Sequence, residues 1–292
     1  MMSPGARLRA AYSAGPIMMP GAFCALAAKL AERLGFPAVY LSGGALSAGW
    51  AGLPDVGLLG LTEFAEQAAV LARATALPVL CDADTGFGAA IHVERTVRLY
   101  EQAGLAGLHL EDQEMPKRCG HLSGKSLVEP AVMESKIRAA VSARSDADFV
   151  IVARTDARGV EGFEAAVARA RRYRAAGADM IFPEALESPE EFARFAAEVG
   201  APLLANMTEF GKSPLIPFDD LVAMGYSAVI YPLTGFRAAM RAVENVYRVL
   251  LEQGTQASLL GSMQSRAELY DLLGYADWEQ RDQAFFRPAP RD

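Results

Sequence analysis

Eight apolar, β-rich runs recur along the chain, each followed by a stretch of helical character, and this alternation limits the fold more than any other feature. The runs are PIMMPGA (16–22), AVYLSGG (38–44), LPVLCDAD (77–84), AGLHLED (106–112), DFVIVARTD (148–156), DMIFPEA (179–185), PLLANM (202–207) and SAVIYPL (227–233). Between them, segments such as FCALAAKLAERLG, LTEFAEQAAVLARAT and GFEAAVARARRYRAAG repeat apolar residues at helical spacing. Gly35, Gly104, Gly177 and Gly200 stand where a helix would be capped before the next strand. Continuous apolar strands alternating with helices mean a parallel sheet covered by helices. Eight units predict a closed (β/α)8 barrel of the TIM type. The competing arrangement is an open doubly wound sheet, but no GxGxxG follows the first strand, which removes its dinucleotide-binding form.

A chain of 292 residues is within reach of a single such barrel. We read 1–292 as one domain, with the barrel core over about 16–250 and a helical extension over about 251–287. The segments FRAAMRAVENVYRVLLEQG, MQSRAELYDLLGY and DWEQRDQAFF exceed what closing a barrel needs, and packing against a neighbouring subunit is a simple use for them. The first dozen residues are expected to be loosely held, and the apolar patch near them, broken by Pro16 and Pro20, is too short for a membrane span and unlike a signal peptide. A net charge of -7 leaves no footprint for nucleic acid or an anionic membrane. Cys24, Cys81 and Cys119 lack the spacing of a zinc site or disulfide framework, which favours a reducing cytoplasm. Cys24 and Cys81 lie in apolar runs and read as core.

In a barrel, chemistry gathers at the C-terminal ends of the strands. There the sequence places Ser42, Gly43 and Gly44; Asp82 and Asp84; Glu111 and Asp112; Arg154 and Asp156; Glu184; Asn206; and Tyr231. Asp82 and Asp84 are two apart, so an extended strand projects both to one side. Hard oxygen ligands beside glycines suit Mg2+, and Glu111 and Asp55 add acids nearby. The same stretch also reads as an Asp-rich turn capping the next helix. SGG at 42–44 offers amides to an anion or forms a tight turn. Arg154, Arg237 and Arg266 have the chemistry to clamp carboxylates, as a polyanionic substrate requires, though each alone reads as an ion-pair residue.

The stretch PKRCGHLSGKS surrounds Cys119 with Lys117, Arg118, His121 and Lys125, and Gly120 and Gly124 lend the backbone mobility. Cationic neighbours are expected to lower the thiol pKa. His121 is positioned in sequence to act as base if Cys119 is a nucleophile, whereas a thiol that only moves a proton needs less.

These residues, with YLSGG, GLPD, DADTGFG, LHLEDQ, VARTDA, IFPEA, LANMTEFG, YPLTGFRAAMRA and GTQ followed by MQSRAELY in this order, resemble the methylisocitrate lyases of the isocitrate lyase and phosphoenolpyruvate mutase superfamily. The similarity spans roughly 16–280, and KRCGH marks the lyase branch. The resemblance implies Mg2+-dependent cleavage, with Mn2+ as a substitute, of the tricarboxylate 2-methylisocitrate to pyruvate and succinate in the methylcitrate cycle. It implies metal binding by Asp82 and Asp84, Asp84 being the direct ligand. Ser42, Gly43, Gly44, Asp55, Cys119, Gly120, Arg154, Glu184, Asn206, Met207, Thr208, Arg237 and Arg266 would bind substrate. Cys119 would act as acid, with Tyr40 moving a proton at the hydroxyl and His121, Arg154 and Glu111 in supporting catalytic roles. Phe182, Leu233 and Thr234 would shape the substituent pocket that separates this substrate from 2,3-dimethylmalate. It also implies a homotetramer exchanging C-terminal helices, a cytoplasmic location, and a loop around Cys119 that closes over substrate. A catalytically idle barrel used for assembly would lack one of the acids or the cysteine, and none is missing.

Overall fold

The computed structural model describes residues 2–286. All eight expected strands form: β1 (Ile17–Pro20), β2 (Val39–Leu41), β3 (Val79–Asp82), β4 (Gly107–Glu111), β5 (Val150–Thr155), β6 (Met180–Pro183), β7 (Leu204–Asn206) and β8 (Ala228–Tyr231). Every ladder is parallel. One set runs β2 to β6 and the other joins β7, β8 and β1. Single bridges, Gly21 to Tyr40 and Ile181 to Leu203, connect the two sets. The strands therefore follow one another in a closed ring in sequence order.

Alternate strand residues face opposite ways, and burial divides accordingly. Val39, Leu41, Val79, Cys81, Leu108 and Leu110 join an outer core with helix residues such as Ala28, Phe64, Val97 and Ile137. Tyr40, Leu80, Val152, Met180, Phe182 and Leu204 form a second core inside the ring. The interior is thus packed, and polar chemistry is confined to its rim.

The N-terminus departs from expectation. Pro4–Ala14 is a helix capped by Ser3, whose Oγ accepts the Ala6 N–H at 3.1 Å. Its Leu8 joins the inner core beside Ile17 and Met19, at the N-terminal end of the strands. Arg9 reaches Asp179 at 2.8 Å, and Arg7 donates to the Ala76 carbonyl at 2.6 Å. The segment Pro4–Ala14, expected to be loosely held, is a plug.

Two more readings change. Residues 43–51, whose glycines read as a turn, form the helix Gly43–Ala51 with Ser42 as its cap, the Oγ accepting from Ala45 N at 3.3 Å. Cys24 is exposed rather than core, standing just before the helix Ala25–Arg33, while Cys81 is buried. The four glycines read as helix caps all take positive φ.

The chain divides into two compact units, Met1–Arg237 and Ala238–Asp292, so the division falls inside the helix Thr234–Gln253. The second unit also holds the 3-10 turn Ala257–Ser262 and the helices Arg266–Leu273 and Tyr275–Phe285. None of these three helices buries a residue. Among the described residues, no helix is long and apolar enough to cross a membrane.

Candidate active site

The alternation that fills the barrel also delivers its polar rim. Following the inward-facing positions to the C-terminal ends of the strands and just beyond gives Ser42 after Tyr40, Asp82 after Leu80, Arg154 after Val152, Glu184 after Phe182, Asn206 after Leu204, and Pro232 after Ile230. All of these line one cleft with about 450 Å³ of empty space, part of it open to solvent. Gly44, Asp55, Cys119, Gly120, His121, Thr208 and Leu233 complete the lining.

Asp82 and Asp84 do meet, though not on one strand. β3 ends at Asp82, and Asp84 sits in a turn with φ 45. Asp82 is held by the N–H groups of Gly43 at 3.1 Å and Asp84 at 2.9 Å. Burial favours its neutral form, but His109, Lys117 and Arg154 outweigh that and keep its carboxyl below the usual range. Burial pushes Asp84 up to about 7; Lys117 partly offsets this and the Asp82 charge adds to it. Two buried carboxylates this close cannot both ionise freely without a cation.

Lys117 supplies one positive charge, 2.6 Å from Asp84 Oδ1 and in contact with Asp55. Glu111 lies deeper, with Arg154 Nη1 3.0 Å from its Oε2. Burial pushes Glu111 well above the usual range despite Arg154 and Lys117. Neither Glu111 oxygen nor Asp84 Oδ1 accepts a well-aligned hydrogen bond, so these ion contacts lie off the bonding direction.

Arg154 is a hub. Its Nε and Nη2 donate to Asp156 at 3.0 and 3.1 Å, and Nη2 lies 3.4 Å from Glu184 Oε2. Burial raises the cost of ionising Glu184, but Arg154 and then His121 hold its carboxyl well below the usual range. Asn206 Nδ2 donates to Glu184 at 3.3 Å, while Asn206 Oδ1 is buried without a partner.

The cysteine loop lies over this rim. A Cβ at Gly120 would stand 2.3 Å from Glu184 Cγ and 2.4 Å from Arg154 Nη2, so only glycine allows this approach. His121 Nδ1 accepts the Lys212 N–H at 3.0 Å, and Nε2 lies 3.1 Å from Glu184 Oε1. Both imidazole nitrogens therefore face partners other than the thiol, and the arrangement does not make His121 a base for Cys119. The expected lowering of the thiol pKa is reversed. Burial pushes the Cys119 thiol up, against the His121 amide and Arg154, with Glu184 raising it further. The cations counted in sequence are spent elsewhere: Lys117 on Asp55 and Asp84, Lys125 on Asp156. A thiol that keeps its proton is an acid in waiting.

Sequence reading missed His109. It is fully buried, its Nε2 2.7 Å from the Tyr40 hydroxyl and 3.4 Å from Asp82 Oδ1. The signal was its place two residues before Glu111, on the inward face of β4.

Two expected pocket residues of the first unit, Met207 and Arg237, turn their side chains away from the cleft. The Met207 side chain packs in the outer core, its sulfur accepting from Ile216 N at 3.3 Å, which leaves only its backbone to approach substrate. Arg237 donates to the Glu209 carbonyl at 2.6 Å and lies over the Phe210 ring, and it does not line the cleft. Arg266 opens the helix Arg266–Leu273 in the second unit. Phe182 and Leu233 line the cleft, whereas Thr234 contacts Glu209 through its hydroxyl.

The rim fits a hard divalent cation. Its donors are carboxylate oxygens, and Asp84 Oδ1 and both Glu111 oxygens are buried acceptors without aligned donors. Among the described residues no three His, Cys, Asp or Glu side chains converge closely enough to enclose an ion by themselves. Mg2+ accepts that, because it keeps waters and substrate oxygens in most of its octahedron.

A closed parallel barrel with carboxylates, a guanidinium and a thiol at its strand ends defines the class as a barrel enzyme acting on small anionic molecules. The family description Phosphoenolpyruvate phosphomutase matches residues 8–251, and the chain belongs to that family. A 2-methylisocitrate lyase of Aeropyrum pernix is 55% identical over 94% of this chain and 88% of its own. That of Escherichia coli is 46% identical over 98% and 97%. Among solved structures, oxaloacetate acetylhydrolase with 3,3-difluorooxalacetate superposes at TM-score 0.92, with 34% identity over 99% of each chain. A 2,3-dimethylmalate lyase, described as a PEP mutase/isocitrate lyase superfamily member, gives 0.91 with 34% identity over 98% and 96%. Phosphonopyruvate hydrolase in complex with oxalate and Mg++ gives 0.89 with 31% identity over 98% and 100%.

Proposed function

We propose that this chain is a carbon–carbon lyase that cleaves 2-methylisocitrate to pyruvate and succinate in the methylcitrate cycle of propionate catabolism. The observation that carries the reading is the Cys119 thiol seated in the same cleft as Asp82 and Arg154, where burial raises its pKa and favours the form that can donate a proton. Relatives named 2-methylisocitrate lyase, at 46% and 55% identity over nearly the whole chain, specify the substrate. The 2,3-dimethylmalate lyase is more distant, at 34%.

Cleavage removes a proton from the substrate hydroxyl, breaks the bond between the hydroxyl-bearing carbon and its neighbour, and returns a proton to the neighbour. Tyr40 and His109 serve the first transfer. Burial, with the Asp82 charge, holds the phenol well above its usual range, and burial holds His109 below its own. Tyr40 therefore takes the hydroxyl proton only as it passes its own to neutral His109 Nε2, 2.7 Å away, and once product leaves the proton returns through Tyr40 to water in the opened cleft, which resets the pair. Arg154 gathers the negative charge that develops on the keto-acid oxygens. Ser42 and the start of the helix Gly43–Ala51 receive a carboxylate, and Glu184, Asn206 and Thr208 orient the remainder. The bonding pair is left on the carbon that becomes a succinate methylene. Cys119 Sγ–H donates to that carbon, leaving a thiolate that regains its proton from solvent when the loop opens. Glycine at 120 lets the loop seal the cleft so that water does not compete.

Asp82 and Asp84 would hold Mg2+ or Mn2+, with Glu111 behind them, and the ion would supply Lewis-acid stabilisation of the hydroxyl and keto-acid oxygens.

The C-terminal helices support a homotetramer with helix exchange. They bury nothing, yet Tyr247, Leu250, Leu251, Trp278 and Phe285 are exposed apolar side chains that a partner would cover. Three free cysteines fit a cytoplasmic location.

The test is kcat/KM on 2-methylisocitrate and on 2,3-dimethylmalate, with and without EDTA. Preference for 2-methylisocitrate, loss of turnover in chelator and recovery with Mg2+ are expected. Preference for dimethylmalate, or full activity in EDTA, would overturn the respective assignments.

A further inference from the structure

Lys125 lies six positions beyond Cys119, and its charge is not directed at the thiol. Its ammonium donates to the Gly120 carbonyl, on the residue next to Cys119, and to Asp156 Oδ1 at 2.8 Å. The side chains of Lys125 and Asp156 are 1% and 0% exposed. An ammonium carries three donors and is costly to bury unless they are used.

The far end of this contact is rigid. Asp156 follows β5, and its carboxylate takes Arg154 Nε and Nη2. Its N–H donates to Asp112 Oδ1 at 2.9 Å, and Asp112 Oδ2 accepts from Thr155 Oγ1 and Tyr173 Oη, both at 2.8 Å. Asp156 is therefore fixed from three sides within the barrel wall. Lys125 stretches from that anchor to the backbone of the Cys119 loop.

We propose that Lys125 is a positioning residue, a latch that ties the Cys119 loop through Asp156 to the Arg154 guanidinium. The ammonium finds both acceptors only when the Gly120 carbonyl is down on the rim. The thiol is thereby set against the cleft by the same carboxylate that orients the guanidinium, so loop closure and the charge-gathering group are aligned together. The effect on turnover rests on the lyase reading above; the effect on the loop does not.

The test is the rate at which iodoacetamide alkylates Cys119 in substrate-free protein at fixed pH, resolved by mass spectrometry of the Cys119 peptide. Exposed Cys24 serves as internal reference. In Lys125→Met, Asp156 keeps its Arg154 partner, so the wall should hold while the loop loosens. Cys119 alkylation is expected to rise at least tenfold, with Cys24 unchanged. With 2-methylisocitrate, kcat should fall at least tenfold and recover in part in Lys125→Arg, which keeps the charge. Should Lys125→Met show no cooperative melt, Lys125→Gln, which keeps an N–H for one acceptor, is expected to show a smaller rise. Alkylation within twofold of wild type in a folded variant overturns the latch, even if turnover is lost. Faster alkylation in a protein whose wild type does not cleave 2-methylisocitrate leaves the latch standing and overturns the substrate reading.

Discussion

Replacing Gly120 by alanine tests whether the loop must lie on the rim. The added carbon would stand 2.3 Å from Glu184 Cγ and 2.4 Å from Arg154 Nη2, where ordinary contact begins at 3.4 Å. Something must move by about 1 Å, a misplacement that can cost about 100-fold in rate. The rim cannot yield cheaply. Arg154 is held by Asp156 and Glu111, and Glu184 by Arg154 and Asn206. The loop therefore lifts, stretching the bond from Lys125 to the Gly120 carbonyl. Losing one charge-assisted hydrogen bond costs about 1.5–3 kcal/mol, which corresponds to roughly 10- to 150-fold. Both routes give kcat/KM for 2-methylisocitrate about 100-fold below wild type. A continuous assay coupling pyruvate to lactate dehydrogenase reads it directly. Because the loop is no part of the barrel core, Tm should stay within about 2 °C. A variant within threefold of wild type would refute the packing argument.

Cys119 must be protonated to act, and burial raises its pKa. Activity should hold at neutral pH and fall only as pH rises through the elevated thiol value, so the alkaline limb of the kcat profile belongs above the usual thiol range; a thiol limb below it would contradict the burial argument. Light scattering should give about four times 31.2 kDa, and a mass near one chain would reject the tetramer.

The barrel is legible because its strands are apolar runs, and the rim because polar residues take over the inward parity where most of the runs end. The N-terminal plug was hidden: Pro4–Ala14 is anchored largely by Leu8 and two arginines whose partners are remote in sequence. Gly43 and Gly44 disguised a helix start, since glycine reads first as a turn. His109 sat within an apolar run, and only the parity set by Glu111 distinguished it from a core residue. The cysteine was misjudged for a different reason. Proximity in sequence gives the number of cations around Cys119, but not which carboxylates claim them, and Asp156, 31 residues from Lys125, decides that.

Turnover requires the Cys119 thiol to deliver the proton to carbon, and Cys119→Ser measures this most directly, since a hydroxyl keeps the shape and withholds the acid. Steady-state kinetics on 2-methylisocitrate should show KM within about tenfold of wild type and kcat lower by about 100-fold or more, the usual weight of a positioned acid. A serine variant that turns over at the wild-type rate would contradict it.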